Sequence, residues 1–419
     1  MMLPALATPV TRRILLAVAG SAAGALQVRA QSGPSWDVPP EIRPVASVVP
    51  ANLLRGPHYV LGPEVTTFAY LNRYAVTSDF GDFPASSDAR LARLIREIAA
   101  IAELRAMQQT DAFKQAAMEA GKSPFRSAKS LIDDPVGTLS AIPEGLGSIF
   151  GRASEQLQRS HRSQYEDGPA MQLLAVSGYK REYAAKLGVD VYSSNEVLQK
   201  ELNRLAWASA GGNLTLGALS FATGAMALQV ASNVRLLEQA RSIVEATPPS
   251  ELSKRNRELL TRMKVPDATA NVFLQNRVLS PRHQTIIVAS MVALGDIPGR
   301  AQFIARAGSA DTEDAALLFQ RMAELMAGYS ARVSAVRQIA IVQNLPVVTT
   351  AKASALLLPI DRLLWTERNA GLAKSLTKPP AHGPQLWITG TASPLAEAGL
   401  KKLGMALTQD CGRQLPLLD

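Results

Sequence analysis

The side chains best able to do chemistry in this chain are few and scattered. Four histidines, His58, His161, His283 and His382, stand far apart in sequence, each in a different kind of segment, so only tertiary coincidence would join them into a metal centre. Cys411 is the only cysteine; no intrachain disulfide can form, and near the tail it reads as an ordinary thiol. There is no H-E-x-x-H, no G-x-S-x-G, no phosphate-loop G-x-x-x-x-G-K-[ST] and no calcium-loop spacing. No metal site is expected, no catalytic residue is assigned, and no cofactor is indicated.

Three looser constellations remain. Arg282 and His283 follow Ser280-Pro281, a helix start, so two cations face the positive end of a helix dipole, and a bound anion would relieve that conflict. Arg300, behind Pro298-Gly299, repeats the pattern and is a candidate for the same anion pocket; solvated side chains are the plainer alternative. In SDFGDFPASSD, Asp79, Asp82 and Asp88 have the chemistry of a hard-cation site or an acid-base pair, against ordinary turn and capping duty. Gly390-Thr391-Ala392-Ser393 is a strand-to-helix turn whose backbone N–H groups suit an anion, against a plain N-cap by Ser393.

The elements that must hold these residues in place are predicted from periodicity. HYVLGPEVTTFAYLNRYAVTSDFGDF, rich in β-branched and aromatic residues, reads as two or three strands, with Tyr59, Phe68, Tyr70, Tyr74, Phe80 and Phe83 forming either an aromatic core or a ligand-facing surface. After Ser86-Ser87, Leu91, Leu94, Ile95, Ile98 and Ile101 recur at helical steps, and the helix is expected to run to Gly121. Residues 136–150 keep helical register through Pro143, Gly145 and Gly147, which suits a kinked helix over a core or a segment lying on a membrane. Ser280-Pro281, Pro298 and Asp311-Thr312 open further helices, the last carrying the stripe Leu318, Met322, Leu325, Met326 and Tyr329 towards the core. Between helices, Thr247-Pro248-Pro249-Ser250 and the charged KRNRELLTRMK read as a surface excursion. Beyond Ala335, strands joined by turns precede the helix ERNAGLAKSL, and QLWITG, SPLAEAGLKKLG and MALTQ form a strand-helix-strand unit.

The predicted fold is therefore a helix-dominated α+β protein: an N-terminal β-hairpin or meander, a central helical bundle and a small C-terminal α/β unit. The expected divisions are a signal peptide over 1–30, a Pro-rich extended segment over 31–57, strands then amphipathic helices over 58–200, a central helical region over 201–336 and a C-terminal α+β subdomain over 337–419. Arg12-Arg13, the apolar run behind them and Val28-Arg29-Ala30 have the order of a cleavable export signal, and Thr11 to Leu16 admit a twin-arginine route. Removing it takes three arginines from the net charge of +9 and leaves +6, a mild preference for anionic surfaces without the dense basic stripe of a nucleic-acid binder.

Between Arg204 and Arg235 the chain carries no charged side chain. Twenty helical residues reach about 30 Å, enough to cross a bilayer core. Residues 211–230 offer Leu214, Leu216, Leu219, Phe221, Met226, Leu228 and Val230, worth about 2 to 4 kcal/mol on insertion, against four glycines and five polar residues. A buried central helix or hairpin is the leading expectation, ahead of conditional insertion and a permanent span. The function expected is that of an exported envelope protein, non-catalytic, binding an apolar or amphiphilic partner such as a lipid or touching the membrane peripherally. An exported hydrolase acting on an anionic substrate around Arg282, His283 and Arg300 is the alternative, and a pore-forming hairpin the third reading.

Overall fold

The structure is a computed structural model that describes residues 36–122, 176–212, 235–378, 382–415 and 417–418. The expected export signal, the broken amphipathic stretch 136–150 and the apolar residues Leu214, Leu216, Leu219, Phe221, Met226 and Leu228 lie outside the described residues.

Strand alternation builds the first layer. β1 (Glu41–Pro44), β2 (Arg55–Gly56), β3 (Tyr59–Leu61), β4 (Glu64–Phe68), β5 (Leu71–Ser78) and β6 (Gly81–Ala85) form one antiparallel sheet in which β5 pairs with β3, β4 and β6. Every second residue of β5, Asn72, Tyr74 and Val76, turns to the core, as a sheet with one wet face requires. Order starts earlier than the prolines suggest. Glu41–Pro44 pairs with β4, and Val45 and Val49 are buried beneath it, so the Pro-rich segment forms an edge strand, where the missing N–H groups of proline cost least.

Helix α1 (Asp88–Gln108) packs Leu91, Leu94, Ile95 and Ile98 on this sheet, starting at Ser87, whose hydroxyl accepts from Arg90 N at 3.1 Å. It stops short of Gly121 because Thr110 opens a second helix, α2 (Asp111–Lys122), its Oγ1 accepting from Phe113 N at 3.3 Å. The helices α3 (Val176–Leu187) and α4 (Glu196–Gly212) join α1 and α2 around Ile101, Leu104, Tyr183, Leu198, Leu202 and Leu205. α3 also packs against α5 (Arg235–Ala246). The charged stretch after Pro249 is a helix, α6 (Pro249–Arg262): Leu252, Asn256 and Leu260, four apart, form a buried face that the surrounding charges hide in the sequence.

Further along come α7 (Asp267–Gln275), α8 (Pro281–Ala293), α9 (Arg300–Ala307) and α10 (Glu313–Arg332). α10 starts at Thr312, which caps Ala315 N, and from Met322 to Tyr329 it is buried all round, with Leu318 at the edge of that run. Such a helix is central, which is why the largest core cluster gathers about it.

A five-stranded mixed sheet closes the chain. β7 (Gln338–Val342), β8 (Leu345–Thr349) and β9 (Ser354–Leu358) form an antiparallel run, while β11 (Gln385–Ile388) and β13 (Ala406–Thr408) continue it in parallel. The crossovers are α11 (Glu367–Leu376) and α12 (Pro394–Lys402), and β10 (Arg362–Leu363) pairs with β12 (Thr391–Ala392) beside them. The fold is thus helix-dominated α+β, with the strand-helix-strand element β11–α12–β13 in place. Among the described residues no helix is long and apolar enough to cross a membrane.

Candidate functional site

Arg282 and His283 sit in the first turn of α8, but both are buried. Arg282 Nε faces Asp190 Oδ2 at 3.7 Å, and its Nη2 donates to Leu418 O at 2.7 Å; Arg93 lies 3.8 Å from the same carboxylate. Burial would push Asp190 up, yet the guanidinium groups of Arg282 and Arg93 hold it below the ordinary carboxylate range. His283 closes a capping box with Ser280, its Nδ1 accepting from Ser280 N at 3.2 Å. Burial, together with Arg93, depresses it to about 3, so the ring is neutral. The negative charge that a helix start of this kind invites is supplied from within, by Asp190. Arg300 pairs with Asp296 at 2.5 Å, one turn earlier, and no described contact joins it to Arg282 or His283.

The acidic stretch also divides. Asp79 pairs with His58 at 2.9 Å on the surface, and Asp82 lies on β6 opposite Thr77. Asp88, itself exposed, instead binds buried partners: its Oδ1 accepts from Asn72 Nδ2 at 2.8 Å and from Tyr74 Oη at 2.5 Å. Asp361 joins them from the C-terminal sheet, accepting from the backbone N–H groups of Asn72 (2.9 Å) and Asp88 (3.2 Å). Burial, and Asp88 close by, push Asp361 up to about 8. Among the described residues no three His, Cys, Asp or Glu side chains converge as a metal site would need.

The turn at Gly390 keeps its N–H groups for the protein. Gly390 N bonds Ile360 O (2.8 Å), Thr391 N bonds Asp361 O (3.0 Å), Ala392 N bonds Gln409 Oε1 (2.7 Å) and Ser393 N bonds Leu363 O (2.9 Å). Ser393 Oγ caps α12 by accepting from Ala396 N at 3.1 Å, and donates to Asp37. None of these four N–H groups is left for an anion.

What the fold does leave open is a cavity of about 830 Å³ between α10, α11 and the C-terminal sheet. Leu318, Phe319 and Met322 of α10 form one wall, Leu356, Leu358 and Leu386 of the sheet another, and Leu372, Ala373 and Leu376 of α11 a third. Trp365, Leu400 and Met405 complete the apolar lining. A concave, largely apolar space of this size falls within the range of small-molecule sites, roughly 300–1,000 Å³.

Two hairpin tips form its rim. Phe68 and Leu71 pair across a two-residue turn in which Ala69 and Tyr70 have φ of 48° and 75°. Val342 and Leu345 do the same around Gln343 and Asn344, at 50° and 65°. Positive φ at both central residues is what a tight hairpin needs to match strand twist, and glycine or asparagine normally supplies it. Alanine and tyrosine in that region cost on the order of 1 kcal/mol or more each. The β4–β5 tip is held by its contacts: Tyr70 O accepts from Asp361 N (3.0 Å) and Arg362 N (3.1 Å), and Tyr70 Oη donates to Asn369 Oδ1 at 2.7 Å. Of the six aromatic residues of this region, Tyr59 and Tyr74 are core, Phe68 is exposed, and Tyr70 lines the cavity.

Three charged side chains reach the lining: Arg306, Asp314 and Arg368. Asp314 is engaged already, 3.2 Å from Arg90 Nε and accepting from Ser86 Oγ at 2.6 Å. Arg306, in the last turn of α9, has its Nε buried and without an acceptor among the described residues. A second, smaller cleft of about 420 Å³ lies over α1, with Arg90, Arg93, Glu97 and Glu313 among the residues on its walls. There the charges are engaged: Arg90 pairs with Glu313 at 2.7 Å, Arg93 faces Asp190, and Glu97 accepts from Ser193 Oγ and Asn195 Nδ2.

Sequence reasoning did not reach the cavity. Its walls come from residues hundreds of positions apart, and Arg306 stands in an ordinary amphipathic stretch. No protein-family model, curated protein or solved structure matches the chain.

Proposed function

We propose that this is an exported envelope protein that binds an apolar or amphiphilic small molecule in the cavity between α10, α11 and the C-terminal sheet, and works by sequestering it rather than by making or breaking bonds. The observation that carries the reading is the cavity itself. About 830 Å³ of space lined by leucine, methionine and aromatic side chains would gain free energy from any occupant that removes those walls from water, at roughly 25 cal/mol per Å². The engaged state of Asp314 supports binding over catalysis, since a carboxylate tied to Arg90 and Ser86 is poorly placed as a base. Export rests on Arg12, Arg13 and the apolar run to Ala30.

Gly371 supplies the test. It lines the cavity on α11, is exposed, and a Cβ there would meet nothing within 4 Å, so Gly371→Phe adds a ring at the mouth of the space without a clash at its root. The full chain purified without detergent should carry a small amphiphile detectable by native mass spectrometry, and Gly371→Phe should expel it. Equal occupancy in both proteins would overturn the assignment of the cavity. For export, fractionation of producing cells should find a chain starting near Gln31 outside the cytoplasm, and a full-length cytoplasmic product would refute it.

A further inference from the structure

The charge on the cavity wall narrows the chemistry of its occupant. Arg306, Asp314 and Arg368 are the charged residues of the lining, and Asp314 spends its charge on Arg90. Neither Arg306 nor Arg368 has a carboxylate partner among the described residues, so the wall is positive on balance. Arg306 stands at the C-terminal end of α9, where the helix dipole favours a cation, but that accounts only for the charge being tolerated. It supplies no counter-charge, and a cation on a largely apolar wall gains from one.

We infer that the occupant is a single-chain anionic amphiphile whose carboxylate or phosphate head lies against Arg306 and Arg368 while its alkyl chain runs over Leu318, Phe319, Leu358 and Leu372. This rests on the binding reading above and adds the sign of the head and the number of chains. An anionic oxygen against the guanidinium of Arg306 would accept a charge-assisted hydrogen bond, about twice as strong as a neutral one. A neutral head would meet the guanidinium with a weaker acceptor, and a cationic head would be repelled. The volume accommodates one chain with its head, whereas a two-chain lipid brings twice the hydrocarbon to the same space. Arg368 is exposed whereas Leu356, Leu386 and Leu400 of the same lining are buried, which orients the head outward and the chain inward.

Titration calorimetry on the delipidated full chain tests this, with tetradecanoate, tetradecyl phosphate, tetradecanol and inorganic phosphate as probes below their aggregation limits. Both anionic chains should bind, tetradecanol about tenfold more weakly or worse, and inorganic phosphate alone not measurably. Arg306→Gln should lower affinity for the two anionic chains by about tenfold and leave tetradecanol unchanged, and adding Arg368→Gln should lower it further. Melting of each variant alongside wild type confirms that it is folded. If tetradecanol binds as tightly as tetradecanoate, or if Arg306→Gln affects no probe, the anionic head is refuted while the cavity reading stands. If inorganic phosphate binds as well as tetradecyl phosphate, the alkyl chain is refuted. If no chain of any head binds, the cavity reading itself fails, and the inference with it.

Discussion

Arg282 and Arg306 are two arginines in short reach of helix ends, and the protein treats them in opposite ways. Around Arg282 the fold brings Asp190 to 3.7 Å and the Leu418 carbonyl to 2.7 Å, so the charge is answered internally. Around Arg306 it brings a largely apolar cavity and, among the described residues, no carboxylate partner. A cation at a helix start, which sequence alone marks as a ligand site, is here a structural tie; the cation that awaits a partner sits where nothing local announces it. The difference shows that the charge of a site is decided by what the rest of the chain delivers to it, more than by the residue's own position on a helix.

The most severe test of that comparison is to remove the internal answer. Asp190→Asn leaves buried Arg282 and half-buried Arg93 without their carboxylate and should cost roughly 3–5 kcal/mol in urea unfolding. Arg282→Met together with Asp190→Leu should recover most of it, since two apolar residues replace a buried pair at little net cost. If Asp190→Asn costs less than about 1 kcal/mol, Arg282 is not compensated as described and the contrast with Arg306 collapses.

Next in size is the dependence on pH, where Asp190 meets its counterpart Asp361. Asp190, held low by arginines, contributes stability above its unfolded value that is lost as pH falls. His283, depressed to about 3 from 6.5, adds to the same acid limb because folding disfavours its charged form. Asp361, raised from 3.8 to about 8, works the other way: its contribution is full below the ordinary carboxylate range and gone once pH passes about 8. Asp361→Asn should therefore flatten the decline in stability between pH 4 and pH 8, an interval the shift itself defines, by a few kcal/mol in all. An unaltered alkaline limb in that variant would show that the carboxylate is not kept neutral by Asp88 and burial.

Arg306→Met should change stability far less than Arg282→Met: within about 1 kcal/mol, with stabilisation the expected sign, because no partner is orphaned. A loss as large as that of Arg282→Met would mean that Arg306 is tied within the protein after all. The smallest effect belongs to Gly371→Ala, which places a methyl group in open space on α11 and should stabilise by about 0.4–1 kcal/mol. A destabilising result by thermal melting would mean the space over Gly371 is closed.

How far the sequence led can be judged from particular residues. Ser280, Thr312 and Ser393 each mark a helix start, and each caps as its type suggests, because an N-cap hydroxyl needs only a backbone N–H three residues on. Alternation in β5 and the strand-helix-strand order at Gln385 to Thr408 are legible for the same reason: the signal is local. Asp190 is hidden as the partner of Arg282 because it sits in a loop about ninety residues upstream. The cavity is hidden more deeply, since Tyr70, Arg306, Leu358 and Leu372 meet only after both sheets have closed on α10. Its rim gave little warning either. Gln343-Asn344 is a plausible tight turn, but Ala69-Tyr70 lacks the glycine or asparagine that betrays one, and its conformation is held by Asp361, Arg362 and Asn369 from the far end of the chain.

Cys411, the single thiol of the chain, is wholly enclosed in the core around α10, where burial raises it to about 12. Thiolate is the reactive form, so alkylating reagents should find almost none of it while the native packing lasts. The protein therefore carries its own chemical clock: the rate at which an iodoacetamide label appears at this one atom, with no engineered probe, counts the openings of the core and will register whether a bound guest slows them.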